Sequence, residues 1–146
     1  MRRIRVLIAD DHSEMLSALV SVIEDDPRFT VVGTATTGTD ALRIAAETPV
    51  DVALLDVHMP AGGPGAAEAM ATLPYPPVVV AISAQAGSGV VEEMLRAGAV
   101  GYLTKGRVGA SLPDLLVRCV EGEVILATPA GAGALRALLR APAPQA

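Results

Sequence analysis

Short aliphatic runs at residues 5–9, 30–35, 52–55, 78–82 and 101–103 alternate with longer stretches of helical spacing. Three of the runs are almost wholly apolar, the pattern of strands covered on both faces. Between them, Met15, Leu16, Leu19, Val20 and Ile23 recur on one side of a helix, with Ser13 as the expected N-cap. Ala41, Leu42, Ile44 and Ala45 mark a second helix, and a weaker third is expected over residues 64–73. A fourth spans 88–97, where Gly98 is placed to stop it. A fifth spans 111–120, with Pro113 in its first turn and Gly122 beyond its end.

Five strand–helix units in series predict an α/β fold, an open doubly wound parallel sheet with helices on both faces. The length is far too short for an eight-fold barrel. After Gly122 the character changes. Val124, Ile125 and Leu126 read as a short extended piece, and Leu135, Leu138 and Leu139 mark a short helix over 134–140. Residues 141–146, Ala-Pro-Ala-Pro-Gln-Ala, read as a flexible end. The expected division is one domain over 1–122 and a linker-like extension over 123–146.

Composition narrows the class. The chain has 146 residues, 51% hydrophobic and 18% charged, too apolar for a disordered segment. Aromatics are 2%, so aliphatic side chains must fill the core. The formal net charge of −5 argues against nucleic-acid binding by this segment. Cys119 is the one cysteine, so an internal disulfide is excluded and a reducing, cytoplasmic setting fits. The apolar runs are strand-sized, well short of the ~20 residues of a spanning helix. The basic start, Met1-Arg2-Arg3, lacks the following apolar region and cleavage site of a signal peptide.

In a doubly wound sheet, ligands bind beyond the carboxyl ends of the strands. Asp10 and Asp11 follow the first strand, Asp56 ends the third, Ser83 ends the fourth, and Lys105 follows the fifth. Each has an ordinary explanation when taken alone. Asp10 suits a helix N-cap, Asp11 favours a helix N-terminus, and Lys105 suits an exposed surface. Together they place three carboxylates, a hydroxyl and an ammonium on one sheet edge. Clustered carboxylates are best tolerated around a cation, and a sparse oxygen site suits Mg²⁺ or Mn²⁺. Lys105 is the sole lysine in a chain whose other basic side chains are all arginine, which marks a place for a compact point charge.

The blocks Val6-Leu-Ile-Ala-Asp10-Asp11-His12, Asp51-Val-Ala-Leu-Leu-Asp56-Val-His-Met-Pro60, Ala81-Ile-Ser83-Ala and Gly101-Tyr-Leu-Thr-Lys105 resemble the receiver domain of bacterial two-component response regulators. The opening and closing blocks look most like the NarL/LuxR branch. The resemblance implies a flavodoxin-like, five-stranded sheet of order 2-1-3-4-5. It implies that Asp56 accepts a phosphoryl group from a sensor histidine kinase, and that the domain catalyses only its own phosphorylation and dephosphorylation. Asp10, Asp11, Asp56 and the His58 backbone carbonyl would hold the cation. Ser83 and Lys105 would contact the phosphoryl group, and Tyr102 would turn inward as Ser83 is drawn to it. His58 and Gln85 would border the path of attacking water and tune phosphoryl loss. Homodimerisation on phosphorylation and control of transcription, through a DNA-binding domain outside this segment, would follow.

The sequence departs from the family in three places, the mildest being Ser83 where threonine is commoner. Gly106 stands where the family has proline after the lysine, and Ala61-Gly-Gly-Pro-Gly65 replaces the usual turn after Pro60. Two other readings use the same residues. A phosphatase of the haloacid dehalogenase type would need its nucleophile in an Asp-x-Asp motif at the first strand, whereas here Asp10 and Asp11 are adjacent. A stand-alone or unphosphorylated receiver would act as a protein-binding scaffold.

Overall fold

The computed structural model describes residues 2–84 and 87–140. The strands are β1 (Ile4–Ala9), β2 (Phe29–Ala35), β3 (Val52–Asp56), β4 (Val78–Ser83), β5 (Gly101–Thr104) and β6 (Ile125–Ala127). The helices are α1 (Ser13–Glu24), α2 (Gly38–Glu47), α3 (Gly63–Ala71), α4 (Ser88–Arg96), α5 (Lys105–Val108), α6 (Leu112–Val120) and α7 (Gly131–Arg140). A 3₁₀ turn, Gly109–Ser111, joins α5 to α6.

All strand pairs are parallel, in the order β2-β1-β3-β4-β5-β6. The α/β, flavodoxin-like fold is as expected, but the sheet has six strands rather than five. Gly122, at φ +105°, reverses the chain after α6. Ile125 then pairs with Gly101, and Ala127 with Leu103. The short extended piece thus covers the β5 edge, which would otherwise present unpaired backbone groups. Beyond it, α7 packs against α4.

Two cores follow from the period-2 alternation of the strands. Leu7, Ala9, Ala53, Leu55, Val79, Ala81 and Tyr102 face the layer containing α2, α3 and α4. Val6, Ile8, Val52, Leu54, Val80, Ile82 and Leu103 face α1 and α6. The first layer is rich in alanine on both sides, including Ala41, Ala66, Ala67 and Ala97, so helices and sheet approach closely. Every residue of β3 is buried. Burying each of its valine and leucine side chains contributes about 1.5–3 kcal/mol.

One local expectation is corrected. The N-cap of α1 is His12, in extended conformation and without a side-chain cap bond, so Ser13 is already helical. Asp10 explains this shift, because its side chain accepts the His12 backbone N–H at 2.9 Å and turns the chain one residue early. Lys105 directly follows β5, as expected, at the first position of α5. No cis peptide occurs among the described residues. The glycine-rich loop after Pro60 is tied down. Gly38 N–H donates to the Pro60 carbonyl at 2.8 Å, and Gly62 N–H to Met59 at 3.0 Å. Ala61 (φ 55°) and Gly63 (φ 69°) turn the chain there. Among the described residues no helix is long and apolar enough to cross a membrane.

Candidate functional site

The carboxyl ends of β1, β3, β4 and β5 bring Asp10, Asp56, Ser83 and Lys105 together. Asp10 is fully buried, with its backbone N–H bonded to the Ala35 carbonyl at 3.0 Å. Asp56 is 2% exposed and is held in register opposite Ile82, whose carbonyl accepts the Val57 N–H at 3.1 Å. The His58 backbone N–H donates to Asp56 Oδ1 at 3.2 Å. The same two-residue turn thus orients both acids, Asp10 through His12 and Asp56 through His58.

The Lys105 side chain is 9% exposed and spans the pair. Its Nζ is 2.7 Å from Asp10 Oδ2 and 3.4 Å from Asp56 Oδ2. Both Oδ2 atoms are sealed from solvent and lack an aligned hydrogen bond, and among the described residues the Lys105 ammonium is the cation they share. The charges divide unequally. Burial opposes ionisation of Asp10, but the Lys105 ammonium and the His12 N–H outweigh it and hold that carboxyl below the usual range. Asp56 is pushed above the usual range, first by burial and then by the Asp10 charge, against the His58 N–H and Lys105.

Asp11 is partly exposed at the rim. One ligand atom from each of Asp10, Asp11, His12 and Asp56 falls within 4.8 Å of the others. Three carboxylates around buried, unbonded oxygens fit a hard divalent cation. Ser83 and Tyr102 are fully buried. Their side chains are in hydrogen-bond contact, and burial pushes the Tyr102 phenol above its ordinary value. Tyr102 therefore already points inward here. The His58 side chain is exposed. Gln85 lies outside the described residues.

The sequence reading missed His12. Its imidazole Nδ1 lies 3.1 Å from Asp11 Oδ1 and 3.3 Å from Asp10 Oδ1. Its adjacency to two acids was the available signal. Beside the cluster, a groove of about 430 Å³ is lined by His12, Glu14, Met15, Ala18, Ala84 and Lys105. A larger cavity of about 790 Å³ opens at the opposite edge of the sheet, around Arg5, Asp51 and Tyr75. It contains none of the clustered acids, so size does not mark the chemistry in this fold.

A family model described as the response regulator receiver domain matches residues 6–116. The transcriptional regulatory protein YxjL of Bacillus subtilis, itself uncharacterised, is 35% identical over 141 residues, covering 95% of this chain and 64% of that protein. A protein-glutamate methylesterase/protein-glutamine glutaminase of Halalkalibacterium halodurans is 35% identical over 129 residues, covering 87% of this chain and 37% of that protein. Among solved structures, the signal receiver domain of the putative response regulator NarL from Mycobacterium tuberculosis superposes with a TM-score of 0.79 at 33% identity. That match covers 84% of this chain and all of the other. The chain spans from 31% to 64% of the length of the curated relatives compared.

Proposed function

The chain belongs to the response regulator receiver family, in its NarL/LuxR-like branch, and on that premise we propose that Asp56 is the phosphoryl acceptor. Phosphoacceptor signalling in two-component systems is the function of the family. The assignment of Asp56 rests on one observation. It is the buried carboxylate at the end of the central strand, facing Asp10, with the Lys105 ammonium 3.4 Å away.

An Asp56 carboxylate oxygen attacks the phosphorus of a kinase phosphohistidine. The O–P bond forms, the P–N bond breaks, and the imidazole leaves with the electron pair and takes a proton from solvent. Such a transfer depends on positioning and charge neutralisation more than on side-chain acid–base work. The His58 N–H fixes the orientation of the Asp56 carboxylate. Lys105 neutralises charge on the phosphoryl oxygens, and Ser83 hydrogen-bonds one of them. Asp10, Asp11 and Asp56, with the His58 carbonyl, hold Mg²⁺ or Mn²⁺, which when bound supplies further positive charge to the transferred group. Exposed His58, with Gln85, borders the approach of water and sets the phosphoryl lifetime.

Tyr102 is already inward and in contact with Ser83. Phosphorylation accordingly stabilises this arrangement rather than creating it, and alters the face of α4, β5 and α6. A sensor histidine kinase is the donor in the cytoplasm, dimerisation follows, and control of transcription is the output.

Incubation with acetyl phosphate and Mg²⁺ should label the wild type on Asp56. Asp56→Asn should remove the label while keeping the fold. Undiminished labelling of that variant would overturn the assignment.

A further inference from the structure

Resting on the assignment of Asp10, Asp11 and Asp56 to a divalent cation, we propose that His12 supplies a nitrogen ligand to it. The site then takes Mn²⁺ in preference to Mg²⁺.

The geometry carries this. Adjacent donors in an octahedron are separated by the bond length times the square root of two, and opposite donors by twice the bond length. For bonds of about 2.2 Å, slightly longer than those of Mg²⁺, these spans are about 3.1 and 4.4 Å. His12 Nδ1 is 3.1 Å from Asp11 Oδ1 and 3.3 Å from Asp10 Oδ1. Both values match adjacent positions. All four donors lie within 4.8 Å of one another, which also admits an opposite pair.

Two further features point to a ligand rather than to a chance acidic rim. Asp56 is 2% exposed and contributes to the donor set although its Oδ2, with Lys105 Nζ 3.4 Å away, is buried without a hydrogen bond. The His12 side chain is 73% exposed, and hydrogen-bond contact with Asp10 Oδ1 and proximity to Asp11 Oδ1 hold its Nδ1 beside the same oxygens that would ligate the cation. The backbone fixes the starting point for that reach. His12 N–H is bonded to the same Asp10 Oδ1 at 2.9 Å, which anchors the residue beside the donor set. Lys105 occupies the other oxygen of Asp10, so Oδ1 is the one turned towards the imidazole.

The selectivity follows from donor chemistry. Mg²⁺ takes oxygen ligands and dehydrates reluctantly, so an imidazole adds little for it. Mn²⁺ shares the oxygen preference of Mg²⁺ but, as a first-row transition cation, accepts an imidazole nitrogen more readily, so one nitrogen among carboxylates shifts the balance towards it.

The probes are Mn²⁺ and Mg²⁺ themselves, added to the whole chain. Electron spin echo spectra of bound Mn²⁺ should show nitrogen modulation, which should change in form when histidine is labelled with ¹⁵N. In His12→Ala the modulation should vanish. Mn²⁺ affinity should fall about tenfold, as is typical when a metal-site group is removed, and Mg²⁺ affinity by less than about twofold. His12 makes no side-chain cap bond, so α1 keeps its start in the variant. Bound Mn²⁺ without nitrogen modulation, or equal losses for both metals in His12→Ala, would overturn the proposal. Asp11→Ala separates this failure from a deeper one. If it weakens Mn²⁺ binding while His12→Ala does not, only the nitrogen ligand is wrong. If neither variant affects binding, the cation site itself is wrong.

Discussion

Lys105→Met replaces an ammonium with an apolar group of similar length, so the stem keeps its packing while two buried carboxylates lose their shared counter-charge. At an effective dielectric of about 20, a unit pair at the observed 2.7 Å is worth about 6 kcal/mol, and one at 3.4 Å about 5 kcal/mol. Desolvating the ammonium offsets most of that sum. Breaking a buried pair by removing one partner costs about 3–5 kcal/mol in practice. Asp56 limits the loss, because its carboxyl is already pushed upward by burial and by Asp10 and can take a proton in the variant. The expected deficit is therefore at the lower end, about 3 kcal/mol at pH 7 without divalent cation. With a urea slope of about 1.5 kcal/mol/M, the unfolding midpoint should fall by about 2 M.

The pH dependence has a definite sign. In the variant the carboxyl pair holds a proton more tightly when folded than when unfolded. Its stability is thus greatest in acid and is lost as pH rises through the folded value. The deficit relative to wild type should shrink on going from pH 7 to pH 5. Mg²⁺ should restore part of the loss, and Asp56→Asn in the same background should restore more. Urea titrations in chelator, at two pH values and in both backgrounds, measure this directly. A deficit under about 1 kcal/mol, or one indifferent to both pH and Asp56→Asn, would refute the charge argument.

Two predictions concern the frame around the site. Asp51 accepts the Arg5 backbone N–H at 2.8 Å and both Arg5 and Arg2 guanidinium groups at 3.1 Å. Asp51→Asn should cost about 1–2 kcal/mol at pH 7 by denaturant titration. The Arg5 guanidinium holds the Asp51 carboxyl below the usual range. This contribution is therefore present above the unfolded aspartate value and is lost as pH falls through the folded one, so the gap should close below about pH 4. A Cβ at Gly38 would sit 1.6 Å from the Ala61 carbonyl oxygen. Gly38→Ala should cost more than about 2 kcal/mol, visible as a clear fall in melting temperature, and an unchanged melt would show that the loop after β3 gives way freely.

Much of the fold was legible in one dimension because it is periodic. The run Val52-Ala-Leu-Leu is apolar at every position, and this is how a parallel strand buried on both faces must read. Gly98 stops α4 where expected, at φ +107°, because only glycine adopts that conformation without strain. Once the strands are parallel, Asp10, Asp56, Ser83 and Lys105 must share an edge, since each follows or ends a strand at the same end. The constellation was therefore readable as a list of strand ends.

Tertiary structure alone decided the rest. Ile125–Ala127 is too short to show any period, and it becomes a strand only because the β5 edge offers backbone partners. Ser13 is a good N-cap by composition, but the Asp10 carboxylate, held in place by Lys105, accepts the His12 N–H and α1 starts one residue earlier. Tyr102 sits inward because β5 pairing and the Ser83 contact fix its side, not because its own residue type prefers burial. The position of the Lys105 ammonium between two buried carboxylates depends on side-chain reach across separate strand ends. Chain periodicity determines which residues arrive at an edge; distances of a few ångströms between them are set by the packing of the whole sheet.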